Sequence, residues 1–271
     1  MNTPVLTHRE GVGMTASVYQ HQVLAFTRLY ISHPVLIVVE AGEKEVKWSN
    51  GSCTIKSGEA IAIAGKQTLD VTNRLPDQGI YRAYWLVWDD ELLAKCNAQL
   101  SAPVSAIQTA LPLGKLTIQA SSACQRASQA VMDQSLPLQI AQHRLQEVFY
   151  WVKEAGGVLQ GALEQSVSER VRSFIVKDPS LDWTAPKVAQ ALAMSEATLR
   201  RKLAAESTCF SDVLIDVRMS CAAQLLQCTA LPITRIALDV GYDSPSHFTQ
   251  RFRQRFGFLP SAIREASPSE L

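Results

Sequence analysis

Residues 241–260, GYDSPSHFTQRFRQRFGFLP, restrict the fold more than any other stretch of this chain. Ser244 suits a helix N-cap, Pro245 suits the first helical position, where its missing N–H would have no intrahelical partner, and Gly257 suits the residue just past the end. These signals predict a helix over 245–256. Phe248, Phe252 and Phe256 then fall four apart on one face, which must be buried. Ser246, His247, Thr249, Gln250 and Arg253 are left on the opposite face. Upstream, LPITRIALDVG predicts a helix over about 232–239, with Ile233, Ile236, Ala237 and Val240 inward and a glycine turn at Gly241. Two helices joined by three or four residues around a glycine form a helix-turn-helix, whose second helix can enter the major groove of DNA. An αα-hairpin that merely packs is the alternative.

The arrangement occurs twice. TAPKVAQALAMSEATLRRKLAAE, residues 184–206, predicts a first helix with Val188, Ala189 and Leu192 inward and a second helix capped by Ser195. Met194 and Leu199 are placed as a hydrophobic staple. Leu199 and Leu203 face inward, whereas Glu196, Ala197, Thr198, Arg200, Arg201 and Lys202 do not. Between the two units, residues 210–229 predict one long helix. At about 1.5 Å per residue it spans roughly 30 Å, close to the ~34 Å of one DNA turn. A rod of that length can hold two reading helices over successive major grooves.

Roughly 165–265 resembles the DNA-binding domain of the AraC/XylS family of bacterial transcription regulators. The resemblance rests on PITRIALDVGYDSPSHFTQRFRQRFGFLPSAIR, in which an I-A-x-x-V-G-Y run, an S-x-F-x-x-x-F-R helix and a G-x-x-P-x-x-I-R tail occur in register. It implies base contacts from Ala197, Arg200 and Arg201, with Glu196 and Thr198 nearby, in the first unit, and from Ser246, His247, Thr249 and Gln250 in the second. Arginine can bond guanine O6 and N7 bidentately, and glutamine can do so to adenine N6 and N7. Phosphate contacts are expected from Lys202, Arg251 and Arg253 and from the helix N-termini at Ser195 and Ser244. Small Ala197 stands where many relatives have a bulkier reader, and Gln250 where arginine is frequent, so the target sequence stays open. The resemblance further implies a sensor and pairing role for the N-terminal half, activation rather than repression, and RNA polymerase as a partner. A repressor or silencing antagonist that needs no ligand is the alternative within this class.

At 271 residues the chain fits two domains of ordinary size. From about 18 to 90 it reads as short strands, among them VLAFTRLYI, VLIVVE, CTIK, AIAIAG, TLDVTN and YRAYWLVW, punctuated by Gly42, Asn50-Gly51, Ser57-Gly58 and Gly65. Such spacing implies a sandwich or barrel. From roughly 91 the pattern turns helical, with irregularity around Pro103 and Pro112. Leu138, Leu145 and Val152 recur at seven, each followed three residues later by Ala141, Val148 and Ala155. This seam either packs on the barrel or, through Leu138, Ala141, Leu145, Val148 and Val152, pairs two subunits in a homodimer. The expected fold is thus α+β in two domains. Residues 1–156 form a cupin-like β-barrel with flanking helices, 157–166 a glycine-containing linker, and 167–271 an all-α double helix-turn-helix.

Net charge is +1 overall, −1 up to residue 167 and +2 beyond it. That asymmetry is too weak to signal DNA, so the argument rests on where individual arginines point. No apolar run approaches the roughly 20 residues that span a bilayer, and the first residues carry no export signal pattern, so a cytoplasmic protein without a membrane partner is expected. Six cysteines form no C-x-x-C pair and read as reduced thiols. Redox sensing by Cys221 and Cys228, seven apart on one helix, is the functional alternative.

A metal-dependent enzyme of the cupin type would need two or three converging histidines with a carboxylate. His21 and His33 lie twelve apart without an H-x-H pair, and 35–137 has no histidine. No catalytic or metal-binding residue and no cofactor is therefore assigned. A small-molecule-binding or enzymatic cupin with accessory helices remains the alternative from another class. Trp48, Tyr81, Tyr84, Trp85 and Trp88 could wall a cavity for a small effector of unknown identity, or simply fill the core. Trp85 and Trp88 have opposite parity, so a regular strand cannot point both inward. For an anionic effector, Arg28 and Arg82 are the residues named near the mouth.

Overall fold

The structure is a computed structural model that describes residues 6–100, 104–161 and 166–264. The N-terminal part contains β1 (Leu6–Arg9), β2 (Gly13–Gln20), β3 (Leu24–Ile31), β4 (Val35–Ala41), β5 (Glu43–Trp48), β6 (Gly51–Lys56), β7 (Glu59–Ile63), β8 (Gln67–Arg74) and β9 (Tyr81–Trp88). It continues with α1 (Asp90–Ala98), β10 (Ala110–Lys115), α2 (Ile118–Met132) and α3 (Leu138–Glu154). Two antiparallel sheets result, one ordered β1-β2-β9-β4-β7-β10 and the other β3-β8-β5-β6.

Strand alternation builds two cores from one sheet. In β9, Tyr81, Ala83, Trp85 and Val87 point between the sheets, while Tyr84, Leu86 and Trp88 point outward onto α1, α2 and α3. Trp85 and Trp88 are accordingly both buried, on opposite faces, with no bulge between them. The indole N–H of Trp88 donates to the Leu145 carbonyl of α3 at 3.0 Å, tying the helical layer to the sheet.

Three strands lie outside the predicted set. β1 and β2 form a short hairpin on the sheet edge. β10 carries Pro112, which cannot donate to a ladder and is tolerated because this strand is at the edge and bulges between Pro112 and Gly114.

The 138–155 helix forms as predicted, but its heptad seam faces its own domain. Ala141, Leu145, Val148 and Val152 are fully buried among α2, the outer sheet face and Phe149, and of the five seam residues only Leu138 is exposed. An amphipathic face can be covered once, so these four side chains are not a surface for a second copy. The expected linker also begins too early. Val158 and Leu159 are buried in the same core, with Val158 bonded to Ser105 and Ile107, so the first domain runs past 157. Residues 162–165 of that linker lie outside the described residues.

The C-terminal part comprises α4 (Val167–Lys177), α5 (Ala185–Ala191), α6 (Glu196–Ala205), α7 (Phe210–Cys228), α8 (Ile233–Asp239), α9 (Pro245–Phe256) and a 3₁₀ turn at Pro260–Ile263. A full capping box starts α4, with Ser166 and Glu169 satisfying each other's backbone N–H. Among the described residues no helix is long and apolar enough to cross a membrane.

Candidate nucleic-acid interface

The second helix of each unit is set by its own caps and apolar pegs. In the first unit Leu192 caps the C-terminus of α5, the chain turns through Ala193 with φ of 53°, and Ser195 Oγ accepts the Thr198 N–H at 3.2 Å to start α6. Leu199 and Leu203 are buried with Val188, Ala189 and Leu192, and Met194 packs against them. In the second unit α8 gives way to Gly241, with φ of 82°, and Ser244 Oγ accepts the His247 N–H to start α9. Phe248 and Phe252 have no exposure and Phe256 has 7%. Gly257 closes the helix in the left-handed conformation, its N–H bonded to Arg253 O at 2.8 Å. Burying side chains of this size contributes roughly 1.5–3 kcal/mol each, which is what seats α9 with its polar face outward.

On α6, Ala197, Arg200, Arg201 and Lys202 are exposed, and Glu196 and Thr198 half-buried. The Thr198 hydroxyl accepts from Ser195 Oγ at 2.9 Å, and Glu196 pairs with Arg200 one turn on. Arg200 is thus paired within its own helix, whereas Arg201 and Lys202 project into solvent. On α9, Ser246, His247 and Gln250 are exposed and Thr249 half-buried. His247 packs edge-on to the Tyr242 ring at 5.5 Å, and its Nε2 accepts from Arg251 Nε at 3.4 Å.

The two arginines assigned to phosphates differ in setting. Arg251 is half-buried and bonds His247 and Gln254. Arg253 shares a concave groove with Ser246, Thr249 and Gln250. The same groove takes in Thr234 of α8 and Gln254 of α9, two polar residues that the sequence reading did not single out. Their outward position follows from the helical period, since Thr234 adjoins the inward Ile233 and Gln254 falls between Phe252 and Phe256.

The long helix α7 holds the two units together through charged side chains as well as apolar ones. Arg218 donates to Pro179 O at 3.0 Å and Leu181 O at 2.9 Å in the loop after α4, and to Gly241 O at 3.0 Å in the turn before α9. One guanidinium thus bridges the first unit and the second. At 19 residues, α7 is about 28 Å long.

A second candidate site lies between the sheets. A cavity of about 130 Å³ is lined by apolar strand residues such as Val18, Ile63 and Val87 and by Ser220, Gln224 and Cys228 of α7. Lys44 reaches into it, buried, with Nζ donating to Asn73 Oδ1 at 2.6 Å and lying 5.5 Å from the centroid of the Tyr81 ring. Burial pushes its ammonium down to about 7. Asn73 in turn donates to Gln20, while Gln20 Nε2 and Tyr81 Oη have no hydrogen-bond partner among the described residues. Cys228 lines the cavity as a buried thiol that burial pushes up to about 12, so it is protonated at neutral pH.

The anion-facing residues named from sequence are elsewhere. Arg28 is taken up by Asp216 of α7 at 2.5 Å, and Arg82 is exposed on β9. The cation that faces the cavity is Lys44, which shares the inward parity of Val46 on β5.

Comparison with known proteins bears on both halves. Residues 188–266 match a helix-turn-helix domain family. The transcriptional regulator SirC of Salmonella typhimurium (strain SL1344) is 38% identical over 112 residues, which is 41% of this chain and 38% of SirC, so the chain matches well under half of that relative. An apo ToxT variant from Vibrio cholerae strain SCE256 superposes with a TM-score of 0.70 at 15% identity, covering 94% of this chain and 97% of ToxT. Unsaturated fatty acid-bound wild-type ToxT from the same strain gives 0.67 at 14% identity, over 96% and 95%. The ToxT likeness extends the shared fold across the two-sheet domain as well as the helices. The C-terminal region, with its two helix-turn-helix units, is thus similar to the helix-turn-helix domains of such regulators.

Proposed function

We propose that the chain is a sequence-specific transcription regulator that reads duplex DNA with α6 and α9 and answers to a small apolar acid held between its sheets. The observation that carries the first part is the repeated unit, a helix seated by buried Leu or Phe pegs whose opposite face is polar and cationic. Arg200, Arg201, His247 and Gln250 are all exposed on those faces, as DNA reading requires. The match to the helix-turn-helix family and to SirC supports the same reading. Activation through RNA polymerase extends it by family likeness.

The test is binding of the purified chain to the duplex it selects from a random pool, against random duplex, over a salt series. Affinity for both should fall steeply with salt. Arg201→Ala should lose about 1–3 kcal/mol on the selected site only, and Lys202→Ala should weaken both duplexes alike. Equal losses on both duplexes from both variants would contradict the assignment.

Support for the acid comes from Lys44, a buried cation without a carboxylate partner among the described residues, in an apolar cavity, and from a ToxT neighbour solved with an unsaturated fatty acid. Calorimetry with straight-chain carboxylates should show binding that takes up a proton above pH 7, where free Lys44 is neutral. Affinity therefore falls as pH rises above that point. Lys44→Met should abolish the proton uptake. An unchanged uptake would remove Lys44 from the site.

A further inference from the structure

Strand β3 belongs to the two-sheet domain by its pairing with β8, yet its side chains complete both halves of the reading head. Leu24 and Phe26 are buried in the core of the second unit, where Phe26 meets Phe256 and Phe258 edge-on at 5.5 Å each. Four residues on, Tyr30 is buried in the core of the first unit with Val171 and Val217, and the Arg172 guanidinium lies over its ring at 5.4 Å. A regular strand would alternate faces. β3 breaks its register between Phe26 and Leu29, with Arg28 at φ of 50°, so that Phe26 and Tyr30, which a regular strand would put on one face, pair with Val71 and Thr68, residues of opposite parity, and Arg28 at the break reaches α7.

There Arg28 meets a carboxylate shared by every party. Asp216 of α7, almost fully buried, pairs with Arg28 of β3 at 2.5 Å, Arg255 of α9 at 3.1 Å and Arg172 of α4 at 3.4 Å. Arg255 also donates to Thr27 Oγ1 at 3.0 Å and to Arg28 O at 3.1 Å. The end of the second reading helix is thereby strapped to the strand, while the same carboxylate anchors the helix that opens the first unit. Three cations thus converge on one buried anion, Arg172 and Arg255 mostly buried and Arg28 with half of its side chain in solvent, so Asp216 keeps two partners when Arg28 is removed.

We infer that β3 is the spacer of the reading head: Arg28 and Asp216 are positioning residues that fix the register of α6 relative to α9. The sensor domain thereby sets the separation of DNA half-sites that the chain accepts. This rests on the DNA-reading function proposed above. The strand also faces the acid-binding cavity through Leu29 and Ile31, so the spacer is in contact with the site where an effector would sit.

The test uses the full chain and the duplex selected by the wild type, with its two halves then moved apart by about five base pairs, half a helical turn. A rigid head should lose about 30-fold or more in affinity on that insertion, the size of one or two mismatched base pairs. Arg28→Met keeps the side-chain stem and removes only the charged strap. It should shrink the penalty to about fivefold or less while binding each half alone as the wild type does. Thr27→Val, which removes only the hydroxyl that Arg255 holds, should move the penalty in the same direction by less. A penalty unchanged in both variants overturns the inference, as does a uniform loss of half-site binding, which marks a purely structural role. A wild-type chain that selects no two-part site overturns the DNA-reading function itself, a result distinct from either.

Discussion

Lys44 carries its ammonium where water does not reach, and the linkage between its proton and folding has a definite sign. Its folded value, about 7, lies below the ordinary lysine value of 10.5. Below pH 7 both folded and unfolded chains hold the proton, and the cost of the buried cation is felt in full. Between 7 and 10.5 the unfolded chain holds a proton that the folded chain has shed, so stability rises with pH across that window. Lys44→Met should therefore stabilise the protein, on the order of 2 kcal/mol below pH 7, with the gain shrinking toward pH 10. Urea unfolding at pH 6 and pH 9.5 measures it, and equal gains at both would show that the folded lysine keeps the proton affinity of an ordinary lysine. The residue was legible in part. In EKEVKW the charges hide an alternation in which Lys44 and Val46 share the inward face, but a lone cation among strand charges reads as a solvated face until the opposite sheet is known.

At the level of elements, legibility follows how local the determining physics is. Helix α9 was readable to the residue because its cap, first proline, four-spaced phenylalanines and terminal glycine all act within one turn of the residues they control. Pairing β10 with β7, and turning the α3 seam inward, are decided by partners far along the chain. The heptad spacing showed that a face would be buried and could not show against what. The two turn glycines give a contrast that tests the local reading. Gly257 has φ of 84° and open space around it, so Gly257→Ala should cost only the left-handed strain, about 1 kcal/mol. Gly241 has φ of 82°, and a Cβ there would lie 2.5 Å from Arg218 Nη2 and 2.7 Å from Pro179 O. Gly241→Ala should add displacement of the Arg218 bridge to the same strain, roughly 3 kcal/mol in all, in thermal or urea unfolding. Similar costs at the two sites would mean that the bridge is slack.

Across the whole molecule, the two domains do not keep separate cores. Phe26 and Tyr30 of the sheet domain sit in the cores of the two helix-turn-helix units, and Cys228 at the end of α7 is buried with the residues between the sheets. The sequence shows two domains because composition and periodicity change between residues 155 and 166. It cannot show that a strand near the start completes a core more than 200 residues later, since an inward-facing Phe26 has the same pattern whichever neighbour covers it. Such sharing has a thermodynamic consequence. Domains joined only by a linker melt independently, whereas domains that borrow buried side chains from each other unfold together when the shared burial exceeds the difference in their own stabilities. Calorimetry of the full chain should thus show one transition whose van't Hoff and calorimetric enthalpies agree. Phe26→Ala removes a fully buried aromatic ring, at a cost of about 3–5 kcal/mol, and that cost falls on the interface rather than on either sheet. It should split the transition in two, with the helical part melting first because Phe256 and Phe258 lose their cover. A wild-type chain that already melts in two steps would mean that the shared cores do not bind the domains into one cooperative unit, and the spacer role of β3 would then lack its mechanical basis.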